Sequence, residues 1–166
     1  MLAFSGAAAA TVVTALTSTL LIAPRPALVW NASASSVPGL YGVTPPGRVR
    51  AGDIVIAWPP PPARRLAAAR FYLPSTVPLV KPVAAVAGDR VCAMRERIFV
   101  NGRAAAVRRA RDPSGRPMPW WSGCRLLGPG ELFLLSAHVG EAFDGRYFGV
   151  TRASEVLGKA RLLWAR

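Results

Sequence analysis

Between residues 38 and 158 prolines and glycines interrupt the chain so often that its apolar runs stay short. That punctuation points to brief strands joined by turns. Gly52-Asp53 followed by Ile54-Val55-Ile56 reads as a turn into a strand. Prolines 59 to 62 end it, because proline cannot continue a ladder. Residues 63–72, rich in Ala, Arg and Leu, predict a short helix. Leu73-Pro74 and Val77-Pro78 break it. Residues 79–87 form a continuous apolar run with Lys81 inside, which reads as a buried strand. Gly88-Asp89 turns the chain into residues 90–94, and Ile98-Phe99-Val100 runs into an Asn101-Gly102 hairpin turn. Residues 103–116 are basic and polar and read as an exposed excursion. Residues 126–135 read as turn then strand, 143–149 as a turn-rich piece, and 158–164 as the last strand. The expected fold is mostly β, with one or two short helices.

The chain has 166 residues, enough for one domain and one appended segment. That segment is at the front, where residues 2–24 carry no charge and are long enough to cross a bilayer. They read as an uncleaved N-terminal anchor or as a secretory signal, with a buried helix as the plain alternative. Arg25 lies just beyond the run, which by the positive-inside rule opposes export of the C-terminal side. The formal net charge is +13. The arginines are scattered and no base-reading helix or zinc-finger spacing accompanies them, so no nucleic-acid partner is expected. The single histidine, His138, leaves no His-rich metal site, and no metal is expected. Cys92 and Cys124 fit either two buried thiols or one disulfide.

Two stretches carry chemistry. One is the hydroxyl-rich loop Asn31-Ala32-Ser33-Ala34-Ser35-Ser36-Val37-Pro38-Gly39-Leu40-Tyr41. The other is Lys81, one of two lysines in a chain whose other basic residues are all arginine. A serine hydroxyl needs a base within hydrogen-bond reach to become a nucleophile. A free lysine is protonated at neutral pH, but burial disfavours the charged form. Val80, Pro82, Val83 and Val86 surround Lys81 in sequence and supply apolar company. The plain reading is that the serines are loop polars and that Lys81 snorkels to the surface.

Further pieces extend the pattern in order: Arg50-Ala51-Gly52-Asp53, Lys81-Pro82-Val83-Ala84-Ala85 with Gly88-Asp89, Val100-Asn101-Gly102, residues 115–124, and Phe143-Asp144-Gly145-Arg146-Tyr147-Phe148-Gly149. With the loop and the apolar segment in front, they resemble the Ser-Lys signal peptidases, most closely the TraF-type peptidases of conjugative transfer. The resemblance implies a signal-peptidase-like β-domain over residues 25–166 on the periplasmic side of the bacterial inner membrane. Residues 1–24 are then a single-pass anchor. It implies Lys81 as general base and a serine nucleophile. Counting four on from Asn31, or four back from Gly39, gives Ser35. Counting two back from Pro38 gives Ser36 as the alternative register. Ser33 and the Ser35 backbone N–H would hold the oxyanion. Asp144 and Arg146 would be a supporting ion pair. The family often has serine where this chain has Ala142 and Gly145. The extracytoplasmic setting favours a Cys92–Cys124 disulfide. No cofactor is implied. The expected substrate is an exported precursor such as a pilin, bound as an added β-strand and cleaved after a small residue, with cyclisation of the product in some relatives. A broad-specificity signal peptidase and a non-catalytic membrane-anchored part of a transfer apparatus are the rival readings. Trp120, Trp121 and Met118 either face the membrane surface or pack in the core.

Overall fold

The computed structural model describes residues 27–166, so the anchor assigned to residues 1–24 lies outside the described residues. Two antiparallel sheets account for most of the regular structure, as the mostly-β expectation required. The larger sheet contains β1 (Leu28–Asn31), β2 (Gly39–Thr44), β3 (Ile54–Ala57), β4 (Leu79–Ala85), β9 (Glu131–Leu134), β10 (Thr151–Arg152) and β11 (Val156–Ala165). Its strand order is β1-β2-β11-β3-β4-β9-β10. The smaller sheet contains β5 (Arg90–Met94), β6 (Arg97–Val100), β7 (Arg103–Val107) and β8 (Gly123–Leu126), in the order β7-β6-β5-β8. Two α-helices, α1 (Pro61–Ala69) and the single turn α2 (Gly145–Phe148), and a 3-10 turn at Ala153–Glu155 complete the regular structure of the described residues. Among these residues no helix is long and apolar enough to cross a membrane.

The strands follow from alternation. Along β4, Lys81 and Val83 point to one face and Val80 to the other, while a register shift after Val83 sets Ala85 opposite Phe133 in a separate cluster. Val83 packs with Val55, Leu132, Leu134 and Val156. Val80 packs instead with Tyr41 and Ile56 on the opposite face. A third cluster, built on Val91, Ile98, Leu127, Phe133 and Leu135, joins the two sheets. The Asn101-Gly102 hairpin forms as its sequence predicts, with φ values of 50° and 78° at its two central residues.

Helix α1 begins two residues earlier than its composition suggests. Pro61 and Pro62 form the first turn, where a missing N–H is harmless and the fixed proline φ suits a helix. Residues 103–116 are not a wholly exposed excursion. The first five form β7, Arg108 is 1% exposed and Asp112 is 9% exposed. Arg108 lies 3.6 Å over the Trp120 ring and donates through Nε and Nη2 to the Arg95 carbonyl. Asp112 takes bonds from Tyr72 and Arg116 and so ties the end of α1 to the excursion. Trp121 belongs to the interior: its Nε1 donates to the Gly145 carbonyl at 3.0 Å and its ring meets Phe133 edge-on. The turn-rich piece at 143–149 is the helix α2, with Asp144 as its N-cap. Cys92 and Cys124 are paired positions on β5 and β8 and are joined as a disulfide.

Candidate active site

Strand β4 organises the site. On its β3 side, Val83 donates to the Asp53 carbonyl and accepts from Gly52 N–H, both at 2.8 Å. Main-chain groups alternate in direction along a strand, so Val80 and Pro82 face the other way, toward β9. The Pro82 carbonyl there accepts from Leu135 N–H at 3.1 Å. Proline has no N–H to give on that side, but its carbonyl is intact. One step earlier, beyond the end of β9, the Val80 carbonyl accepts the Ser36 hydroxyl at 2.8 Å. The hydroxyl loop is thereby fastened to the residue preceding Lys81.

The loop is also fastened from within. Asn31, the last residue of β1 and 6% exposed, directs its Nδ2 at the carbonyls of Ser33, Ser36 and Val37, at 3.0, 3.2 and 3.1 Å. Its Oδ1 accepts the Ser33 N–H at 3.1 Å. The buried Tyr41 donates its hydroxyl to the Val37 carbonyl at 2.8 Å. Gly39 runs so close to β11 that a Cβ would meet the Trp164 carbonyl at 2.1 Å. These contacts give Asn31, Gly39 and Tyr41 structural roles that the motif alone did not reveal. Within the loop Ser33 Oγ lies 2.8 Å from Ser35 Oγ and accepts the Ser35 N–H at 3.2 Å. The proposed oxyanion donors are thus bonded to each other here, and a substrate carbonyl would have to replace Ser33 as acceptor of the Ser35 N–H.

Lys81 is 1% exposed. Burial pushes its pKa down from 10.5 to about 8, against the pull of Asp144 and with a push from Arg146. No salt bridge involves it among the described residues. Its Nζ donates to Ser136 Oγ at 3.2 Å, and no hydrogen bond joins it to Ser35 or Ser36. Ser136, which the sequence motifs do not mark, is 2% exposed. Its N–H donates to Asp144 Oδ2 at 2.9 Å and its carbonyl accepts from Arg146 Nη2 at 2.7 Å.

Asp144 and Arg146 form the expected ion pair, with Nε–Oδ1 at 2.8 Å and Nη2–Oδ2 at 3.0 Å, both residues fully buried. Such a bidentate pair is directional as well as strong. The remaining Arg146 nitrogen, Nη1, donates to the carbonyls of Val107 and Gly140. His138 is exposed, two residues beyond Ser136. No group of His, Cys, Asp and Glu side chains suited to a metal ion occurs among the described residues. The arrangement is therefore a buried low-pKa amine beside a hydroxyl-rich loop, braced by one ion pair.

The sequence matches the family model for signal peptidases, peptidase S26, over residues 2–165. It is 36% identical over 141 residues to the conjugal transfer protein TraF of Agrobacterium fabrum, a match covering 79% of this chain and 78% of that one. It is 37% identical over 93 residues to the plasmid transfer protein TraF of Escherichia coli, where the match covers 52% of this chain and about half, 51%, of the relative. A probable conjugal transfer protein TraF of Sinorhizobium fredii is 34% identical over 141 residues, covering 79% and 73%. Among solved structures, a signal peptidase I from Enterococcus faecalis aligns with a TM-score of 0.39 and 17% identity, over 69% of this chain and 97% of that one.

Proposed function

The chain belongs to the signal peptidases of family S26, on the branch of the TraF conjugal transfer proteins, and from that premise we propose that Ser35 and Lys81 form a Ser-Lys dyad cleaving a terminal peptide from an exported precursor. The observation that carries this reading is the Lys81 amine. It is buried without a carboxylate hydrogen-bonded to it, its pKa is held near 8, and its strand is the one on which the serine loop docks. A structural lysine would reach water or an acid. A buried amine that loses its proton near pH 8 is able to act as a general base.

Lys81 in its neutral form takes the proton from Ser35 Oγ, and the Ser35 oxygen attacks the scissile carbonyl carbon. Ser35 N–H and Ser33 Oγ turn from each other to the developing oxyanion. The leaving amine takes the proton back from Lys81. Water, activated by the same lysine, then releases the acyl group from Ser35. Ser36 is the less suitable nucleophile, because its hydroxyl proton is committed to the Val80 carbonyl. Its part is to hold the loop on β4.

The TraF names of the relatives favour a conjugative precursor such as a pilin subunit as substrate. The same reading places the domain on the periplasmic face of the cytoplasmic membrane, tethered by residues 1–24. An exposed apolar patch supports it: Leu28, Trp30, Val37, Leu163 and Trp164 are each about half exposed, and Trp30 and Trp164 lie 5.7 Å apart. The deciding test is processing of a co-expressed pilin-like precursor, followed by mass spectrometry. Ser35→Ala and Lys81→Ala should abolish processing, while Ser36→Ala should retain it at reduced rate. Loss in Ser36→Ala with Ser35→Ala active would move the nucleophile by one residue. Processing indifferent to all three would end the peptidase assignment.

A further inference from the structure

We propose that the Ser136 hydroxyl is the positioning group for the Lys81 amine, and that the buried Asp144–Arg146 pair holds Ser136 in place for it. This rests on the dyad reading above and adds a residue that the sequence motifs do not contain.

The geometry begins with strand register. β4 and β9 are antiparallel, with Val83 opposite Leu134. The next rung is the bond from Leu135 N–H to the Pro82 carbonyl, so pairing continues past the last residue of β9. The rung after that sets Ser136 opposite Lys81. Side chains opposite one another on one face of an antiparallel pair are in reach, and Nζ and Oγ meet at 3.2 Å. Sheet register alone thus delivers a hydroxyl to the lysine.

That hydroxyl is not free to wander. The Ser136 backbone is clamped at both polar groups, its N–H by Asp144 and its carbonyl by Arg146. Asp144 and Arg146 are joined to each other by two short bonds. Neither makes a direct hydrogen bond to Lys81, so their bonded route to the amine runs through Ser136. Nor can a side chain at position 145 replace Ser136. A Cβ on Gly145 would meet the Leu134 carbonyl at 2.7 Å and the Phe133 ring at 2.9 Å. Ala142, though buried nearby in sequence, has no polar side-chain atom.

The chemical consequence has two parts. A neutral amine that donates one N–H to Ser136 has its rotation fixed, and its lone pair is directed away from Ser136. Once the amine has taken the nucleophile's proton, the same contact becomes a charge-assisted hydrogen bond, which is stronger than the neutral one. Ser136 therefore favours protonated Lys81 when the transition state forms. Removing its hydroxyl withdraws more support from the ammonium than from the amine.

The test uses the full chain and its precursor, with initial rates measured across pH for wild type, Ser136→Ala and Ser136→Thr, and thermal melts alongside. Ser136→Ala should lower kcat roughly 10- to 100-fold. The acid limb of its pH profile should move to lower pH, because the ammonium has lost an acceptor. Ser136→Thr, which keeps the hydroxyl, should retain the limb of the wild type and most of the rate. Any of three results overturns the proposal: an unchanged rate in Ser136→Ala, a lower rate with the limb unmoved or moved upward, or a Thr variant that fails as the Ala variant does. An upward limb is what simple loosening would give, since water admitted to Lys81 raises its pKa. Lys81→Ala and Ser35→Ala are run in the same assay. If they still process the precursor, the dyad has failed; if they do not, the Ser136 results bear on Ser136 alone.

Discussion

An amine sealed in a protein interior loses its proton more easily than one in water, and that fact ties together stability and activity at Lys81. With the pKa lowered to about 8, the fraction of neutral base rises through the mildly alkaline range. The plot of kcat/KM against pH should therefore show an acid limb with its midpoint near 8, measurable with any processed peptide. The stability consequence has a definite sign. Below pH 8 the folded and unfolded chains both hold the proton, and the cost of burying the ammonium is fully present. Between 8 and 10.5 the unfolded chain binds more protons, so stability rises with pH. Lys81→Met should then be inactive yet more stable than wild type at pH 7, by something on the order of 3 kcal/mol. Urea titrations should show that advantage shrinking as pH climbs toward 10.5. The lysine was legible in sequence because a lone lysine in an apolar run is conspicuous. Ser136 was not, because it reaches Lys81 only through pairing of strands 55 residues apart. No local pattern encodes that register.

At the scale of single elements, the end of α1 shows a local rule broken. Tyr72 N–H reaches back to the Ala67 carbonyl at 2.9 Å and Phe71 N–H to Ala68 at 3.1 Å, the pattern of a Schellman close. The residue at its left-handed position is ordinarily glycine, but here it is Phe71, with φ of 59° and 93% exposure. A left-handed conformation costs a residue with a Cβ roughly 1–2 kcal/mol, and the exposed ring recovers little by packing. Phe71→Gly should accordingly raise stability by about 1 kcal/mol, read from the denaturation midpoint, with processing unchanged. The helix itself was legible from its alanines and Leu66, although its start was displaced by prolines that serve as the first turn rather than as a stop. Burial in the excursion was illegible for a different reason. Arg108 reads as one more surface arginine until Trp120 is placed against its guanidinium and the Arg95 carbonyl beneath it. Cation–π stacking and carbonyl acceptors can bury an arginine that has no acid beside it.

The molecule as a whole combines a large positive charge with an exposed apolar patch beside the serine loop. The chain carries a formal net charge of +13, and two of its exposed tryptophans, Trp30 and Trp164, sit where the serine loop meets the first and last strands. Trp30 is on β1, Trp164 is on β11, and Val37 is in the loop itself. In the sequence, residues 1–24 precede β1, the strand that carries Trp30. If the domain works against a membrane, Trp30 and Trp164 sit at the headgroup level and the net positive charge draws the domain to anionic lipid. The patch would then hold the active-site loop close to where an exported precursor leaves the bilayer. This arrangement separates two substrates. Full-length enzyme in vesicles containing anionic lipid should cleave a membrane-embedded precursor with an apparent KM that rises with salt, because screening weakens attraction to the surface. A Trp30→Ser/Trp164→Ser variant should raise that KM several-fold more while leaving cleavage of a short soluble peptide at the wild-type rate. Equal losses on both substrates would assign the two rings to folding of the β1–β2–β11 edge. No loss on either would leave the patch without a part in catalysis at the membrane, and the lipid-facing orientation would be discarded.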